Sequence, residues 1–292
     1  MNSQKEETSI KEKRRVAVSS IIAAIFLTTM KFIVGLVTGS LGILSEALHS
    51  LLDLFAATIT FLAVKYSDLP PDKEHQYGHG KFENYSALVE TGLLGITCFW
   101  IIYEAVKRII TKNVEIEVTF WSFAVVIISV VIDSTRSRAL YKVAKKHNSQ
   151  ALEADALHFS TDIWSSMVVL FGLIGASLNY FYADSIAALI VALIVLSVTY
   201  RLGKKSFDAL VDKAPIGLTE QIDEIVSAIE DVKYHHNIKV RESGPYKFVE
   251  INIHVDKKMT IEQAHAVSHI VEEQIKNKIP KIEVTVHTEP DV

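Results

Sequence analysis

Cysteine is nearly missing from this chain: Cys98 is the only one in 292 residues. A disulfide framework and a Cys-rich metal cluster are therefore both excluded, and nothing demands an oxidising compartment. A basic surplus is missing too. The formal net charge is −4 and the pI is near 6.3, which argues against a nucleic-acid-binding protein with its positive patch. Charge of either sign is sparse through most of the first two thirds of the sequence, where long apolar runs dominate, and it returns in the last third. That unevenness separates a membrane region from a water-facing one.

What is present is a series of apolar stretches near the roughly 20 residues that cross a bilayer. Candidate spans are 16–37, 42–65, 86–107, 117–133, 157–178 and 183–202. The apolar stretch after "KEKRR" is too long for a signal-peptide core and lacks a small-residue cleavage site, so it reads as a retained first helix. The fourth span meets Asp133 and Arg136 early and reads as a helix that continues out of the membrane through "RALYKVAKK". Lysine and arginine cluster before span one, between spans two and three, between four and five, and after six, whereas the opposite loops hold only Lys107, Arg108 and Lys112. By the positive-inside rule both termini are cytoplasmic.

From about Pro215 the pattern becomes that of a small α+β domain. "TEQIDEIVSAIED" has a helical apolar face of Ile222, Ile225, Val226 and Ile229, and "TIEQAHAVSHIVEEQIKNKI" is a second helix with Thr260 and Gln263 set for a capping box. "NIKVRES", "YKFVEINIHVD" and "IEVTVHTEP" alternate as half-buried strands, with Gly244-Pro245 turning the first into the second. The order is αββαβ. Residues 1–212 thus form the membrane domain and 213–292 the cytoplasmic one.

Two spans carry the same anomaly. "ALHSLLD" places His49 and Asp53 four apart, and "ALHFSTD" does the same with His158 and Asp162. Each pair shares one helix face. A lone intramembrane His or Asp is commonly a packing group satisfied by a neighbour, but two matching pairs are hard to explain that way when each charge at the bilayer centre costs roughly 2.5–3.5 kcal/mol. Facing each other, the pairs supply two nitrogen and two oxygen donors, a set suited to tetrahedral Zn²⁺ and tolerant of other first-row cations.

These residues, with "SLGILSEALHSLLD", "PPDKEHQYGHGKFEN", "ALEADALHFSTD", "ADSIAALIVALIV", "QAHAVSHIVE" and "VHTEP", resemble the cation diffusion facilitator family along nearly the whole chain. The loop "HQYGHGK" is similar to the iron/zinc-type branch. The resemblance implies a homodimeric metal-ion/proton antiporter with six transmembrane helices and a ferredoxin-like, metallochaperone-like cytoplasmic domain. It implies a prokaryotic plasma membrane and no enzymatic activity. It assigns the transport site to His49, Asp53, His158 and Asp162, with zinc as the preferred substrate and Fe²⁺, Mn²⁺, Cd²⁺ or Co²⁺ as alternatives. It implies a loop metal site at Asp72, His75 and His79, and a salt bridge between Lys81 and Asp212 that interlocks the dimer. In the tail the family motif selects His236, His287 and Glu289. Asn252 stands where relatives can offer a ligand, so His254 or His265 substitutes, and zinc there acts as a regulatory ligand.

A charge count follows for the transport site. Zn²⁺, two aspartates and two neutral histidines sum to zero, and two protons on the histidines restore zero once the metal leaves. The count implies exchange of one Zn²⁺ for two H⁺. Competing readings are a membrane metal sensor without transport and an intramembrane metallohydrolase. The latter is weakened by the absence of an HExxH stretch and of a general base beside an open three-ligand site.

Overall fold

A computed structural model describes residues 2–39, 41–111, 120–177 and 183–291. Among these, six long helices come first: α1 (Asn2–Thr38), α2 (Leu41–Ser67), α3 (Lys81–Thr111), α4 (Phe120–His147), α5 (Gln150–Ser177) and α6 (Ala183–Leu210). A small domain follows, built of α7 (Leu218–Ser227), β1 (Tyr234–Ser243), β2 (Tyr246–Val255), α8 (Ile261–Lys278) and β3 (Ile282–Pro290). Lys112 and residues 117–119 and 178 of the expected spans and loops lie outside the described residues.

The bundle is polar inside and apolar outside. Ile22, Ile25, Ile33 and Leu36 on α1, Leu52 and Phe55 on α2, Ile96, Phe99 and Trp100 on α3, and Ile190, Leu193 and Ile194 on α6 are exposed. Lys31, Asp53, Glu90, Asp133, Arg136, Asp155 and His158 are buried. In water such a distribution is unfavourable; with lipid outside, it is the arrangement that satisfies both media. Alanines 17, 24, 47, 56, 63, 87, 151, 154 and 156 lie at the helix contacts, where small side chains let backbones approach. By length and composition Glu7–Thr38, Ala47–Ser67 and Lys81–Thr111 are apolar enough to cross a membrane. The helices α4 and α5 carry Asp133, Arg136, Asp155 and Asp162, so their capacity to span rests on inward-facing charge rather than on uniform apolarity.

Every bundle helix described extends beyond its apolar run. As the sequence indicates, α4 continues to His147. The extension of α1 is fixed by Lys13, fully buried and paired with both Asp68 and Glu83, whose carboxylate also accepts from Ser67.

In the tail, β2 is central, antiparallel to β1 and parallel to β3. Val249, Ile251, Ile253 and Val255 pack with Ile222, Val226, Val267, Val271 and Ile275 in one core, so both helices cover the apolar sheet face. The αββαβ order and the Thr260–Gln263 capping box match the reading from sequence. Two boundaries differ. The strand β1 starts at Tyr234 instead of 237, with a register shift between His236 and Lys239 around Asn237 at φ 56. The helix α7 ends at Ser227, and turn bonds from Ile229 to Val226 and from Val232 to Ile229 fold the following residues onto the core.

Candidate metal sites

The helices α2 and α5 bring both His-x-x-x-Asp pairs together. The His158 Nε2 is 3.0 Å from Asp53 Oδ1, a hydrogen bond between the two spans. His158 Nε2 is also 3.8 Å from Asp162 Oδ2, and His49 Nε2 lies 3.9 Å from Asp53 Oδ1 and 3.7 Å from Asp162 Oδ1. Ligand atoms of His49, Asp53 and Asp162 all lie within 4.8 Å of one another. His49 is the most accessible member and His158 among the least. His158 falls outside that group of three and approaches it through Asp53 and Asp162; nitrogen and oxygen donors of this kind suit a small divalent cation.

This site is set among further buried charges, to which the sequence assigned no role. Lys31 donates to Ser50, the residue after His49, at 2.8 Å. Arg136 reaches Asp133 at 3.2 Å and Ser20 at 3.0 Å, and lies 3.5 Å from the Phe159 ring centroid. Ser20 in turn donates to Asp155 at 3.2 Å. Glu90 accepts from Thr60 and Ser86. Glu104 is 3.7 Å from Lys107, in a partly exposed pair on α3. The side chain of Asp184 lies outside the described residues. Asp155, His158 and Asp162 share one face at i, i+3 and i+7, the signal from which Asp155 could have been found.

The loop between α2 and α3 gathers Asp72, His75 and His79. Asp72 is 3.4 Å from each imidazole, and the two rings are 4.3 Å apart. The backbone N–H groups of His75 and Glu74 donate to the Asp72 carboxylate at 2.6 and 2.9 Å. That of His75 contributes most to holding its pKa below the ordinary value of 3.8. His79 is buried against Phe82, and its Nδ1 has no hydrogen-bond partner.

In the tail, sheet register does the gathering. The row His236–Asn252–His287 crosses all three strands, and the next row is Tyr234–His254–Glu289. Both occupy the face opposite the core. Ligand atoms of His236, His254 and Glu289 lie within 4.8 Å of one another. The Glu289 carboxylate is 3.8 Å from His236, 3.5 Å from His254 and 3.6 Å from His287, and Asn252 holds it by donating at 2.8 Å. His265 is not part of this group. It sits on α8, which covers the other sheet face, with its Nε2 3.1 Å from that of His269. Lys81 and Asp212 meet at 2.8 Å within one chain, with Arg241 3.9 Å from the same carboxylate.

A family model described as the cation efflux transmembrane domain matches residues 17–211. The chain belongs to the cation diffusion facilitator family. A second model, the cytoplasmic domain of cation efflux proteins, matches residues 217–291. The facilitator's relatives include an uncharacterized transporter of Methanocaldococcus jannaschii, 33% identical, covering 94% of this chain and 95% of the relative. They also include the cation-efflux pump FieF of Citrobacter koseri, 30% identical, covering 94% and 92%. A solved metal-bound C-terminal domain of the CzcD transporter from Thermotoga maritima aligns at 28% identity over 25% of this chain and 86% of its own, with a TM-score of 0.24. As a member of this family the protein is an integral-membrane transporter for efflux of divalent metal cations.

Proposed function

We propose that this facilitator exports Zn²⁺ in exchange for protons, by alternating access through a tetrahedral site of His49, Asp53, His158 and Asp162. The observation that carries the reading is the convergence of these side chains from α2 and α5, with contacts of 3.0–3.9 Å. Two carboxylates match the charge of one divalent cation, and the imidazoles are the groups best suited to take protons when it leaves.

The protein works as a homodimer in a prokaryotic plasma membrane with both termini cytoplasmic. Residues 1–212 carry the transport path and 213–292 the regulatory unit. Asp72, His75 and His79 capture cations at the cytoplasmic mouth. His236, His254, His287 and Glu289 hold a regulatory zinc that favours one arrangement of the paired tails by binding it better.

Reconstituted vesicles with an imposed pH gradient test the reading. Radioactive zinc should accumulate only while the gradient stands, with Fe²⁺, Mn²⁺ and Cd²⁺ competing more weakly. Zinc flux indifferent to the gradient would refute antiport. Binding without flux would make the protein a sensor, and stronger competition by iron or manganese would reassign the substrate.

A further inference from the structure

One turn cytoplasmic of His158, the bundle holds a second acidic pair. Glu90 on α3 and Asp155 on α5 are 2% and 0% exposed. Each has one carboxylate oxygen bound by hydroxyl groups: Thr60 and Ser86 on Glu90, Ser20 on Asp155. The other oxygens, Glu90 Oε2 and Asp155 Oδ1, are buried without a hydrogen-bond partner. Ala87 on α3 packs with Ala154 on α5, and Leu157 packs against both that cluster and the one holding Leu94, so Glu90 and Asp155 stand at the same level of the α3–α5 contact. Buried polar oxygens are seldom left unpaired, and a bound ion is one of the ordinary reasons for those that are.

The pair has a definite place along the bundle. Gln150, at the start of α5, donates to Glu242 of the tail, so this end of α5 is the end facing the cytoplasmic domain. Asp155 therefore lies between the tail and His158, about 4.5 Å along the helix axis from the latter. Thr60 lies seven residues beyond Asp53 on α2, toward the same end. Three polar layers thus line one interior track: Lys13, Asp68 and Glu83 outermost, then Thr60, Glu90 and Asp155, then the His49–Asp53–His158–Asp162 site. Hydroxyls, not cations, make the hydrogen bonds to the middle layer among the described residues. Arg136 reaches Asp155 only through Ser20 and is shared with Asp133, and Glu90 is bound by hydroxyls alone.

We propose that Glu90 and Asp155 form a staging site, where a divalent cation arriving from the cytoplasmic side is held before it passes to His158. Its donors are all oxygen, two carboxylates with the hydroxyls of Ser20, Thr60 and Ser86 around them. It is therefore a harder site than the one it feeds, suited to Mn²⁺ and Fe²⁺ as well as Zn²⁺. One cation occupies the track at a time, so the staging site fills visibly when the deeper site is disabled. The inference rests on the proposed transport through His158.

The test uses the full chain in detergent, with Mn²⁺ as the probe and Asp162→Asn as the background. Bound Mn²⁺ is counted by electron paramagnetic resonance. Adding Glu90→Gln and Asp155→Asn should lower the count by one per chain, and the anomalous signal of Mn²⁺ between α3 and α5 should vanish. Glu90→Asp, which keeps the charge and guards against a folding defect, should restore the count when Asp155 is present. An unchanged count in the neutralised variant overturns the staging site, as does a pair that alters proton release but never Mn²⁺ binding. Proton-driven zinc flux that survives Asp162→Asn instead refutes the transport reading, and the two failures are told apart.

Discussion

The bundle site and the tail cluster use the same donors under opposite conditions. In the bundle, two histidines and two aspartates project from helices; Asp53 and His158 are buried, as are their neighbours Lys31, Arg136, Asp133 and Asp155, while His49 is partly open. In the tail, His236, His254 and Glu289 project from strands into a partly wet face, and the His287 side chain is 70% exposed. Lipid forbids net charge at the first location, so a cation can come or go only if protons or neighbouring charges compensate. Water screens charge at the second, so occupancy there follows concentration with no exchange required. On the proposed reading, one chemistry serves coupling in the bundle and sensing in the tail.

The strongest way to break this contrast is to neutralise a bundle carboxylate. Asp162→Asn keeps the shape but removes half of the site's negative charge, and metal flux into vesicles should fall by about 100-fold or more, beyond the 10–100-fold typical of disturbing a ligand's supporting partner. Flux within a factor of two of the parent would mean that charge balance does not govern this site.

Asp72→Asn should have the next largest effect. The amide can still accept from the His75 and Glu74 backbone, so the turn persists while the charged donor is lost. One metal per chain should disappear, and flux at limiting zinc should drop about tenfold, a ligand-scale effect, with the saturated rate unchanged. The pH dependence has a fixed sign. The folded pKa of Asp72 is lowered, so its ionised form stabilises the turn at and above ordinary carboxylate pH, and this contribution is lost only as pH falls through the lowered value. Loop metal released between pH 7 and 5 must therefore be displaced by protons on donors other than Asp72, and in an acid titration of the parent chain its release should be complete before the Asp72 turn opens.

Glu289→Gln with His254→Ala sharpens the other half of the comparison. Zinc-dependent approach of the paired tails, read by spin-label distances, should vanish. Flux should change only about fivefold, the size of a coupling free energy near 1 kcal/mol. A loss as large as that of Asp162→Asn would place the tail cluster on the transport path.

The two regions also differed in how openly the sequence displayed them. The His-x-x-x-Asp pairs were legible because a four-residue spacing on an apolar span fixes a helix face before any neighbour is known. Likewise, alternation in "KFVEINIHV" separated core from surface, and the valines and isoleucines are buried as expected. Long-range partners were less open. Nothing in the spacing shows that Arg136 reaches Ser20 and through it Asp155, since helix rotation is set by packing among several helices. His265 and His254 looked interchangeable as ligands, yet the helix carrying His265 must cover the apolar sheet face, which takes it away from Glu289. The Lys81–Asp212 pair came from the family resemblance rather than from spacing, and the two side chains meet at 2.8 Å within one chain.

The smallest expected effect concerns the contact through which the two regions meet. The turn between β1 and β2 lies against the start of α3: Gly244 N–H donates to Asn84 Oδ1 at 2.7 Å, and Arg241 stacks on Tyr77 with 3.9 Å to the ring centroid. Gly80 makes this approach possible, because a Cβ there would sit 2.1 Å from the Ser243 carbonyl oxygen. Backbone cannot yield as a flexible side chain can, so Gly80→Ala must push the turn away from the bundle. Overpacking of this kind costs roughly 1–3 kcal/mol. At the low end, opening of the Gly244 amide becomes about fivefold more frequent. Hydrogen exchange should therefore quicken at Gly244 and remain unchanged at Ile253, deep in the tail core. Saturated flux should move by less than about twofold, since no donor of any metal site is touched. If exchange at Gly244 is unaltered, the turn is not seated on the bundle in the working protein. If exchange quickens and the zinc response of the tails survives in flux, sensing reaches the bundle by a route other than this contact.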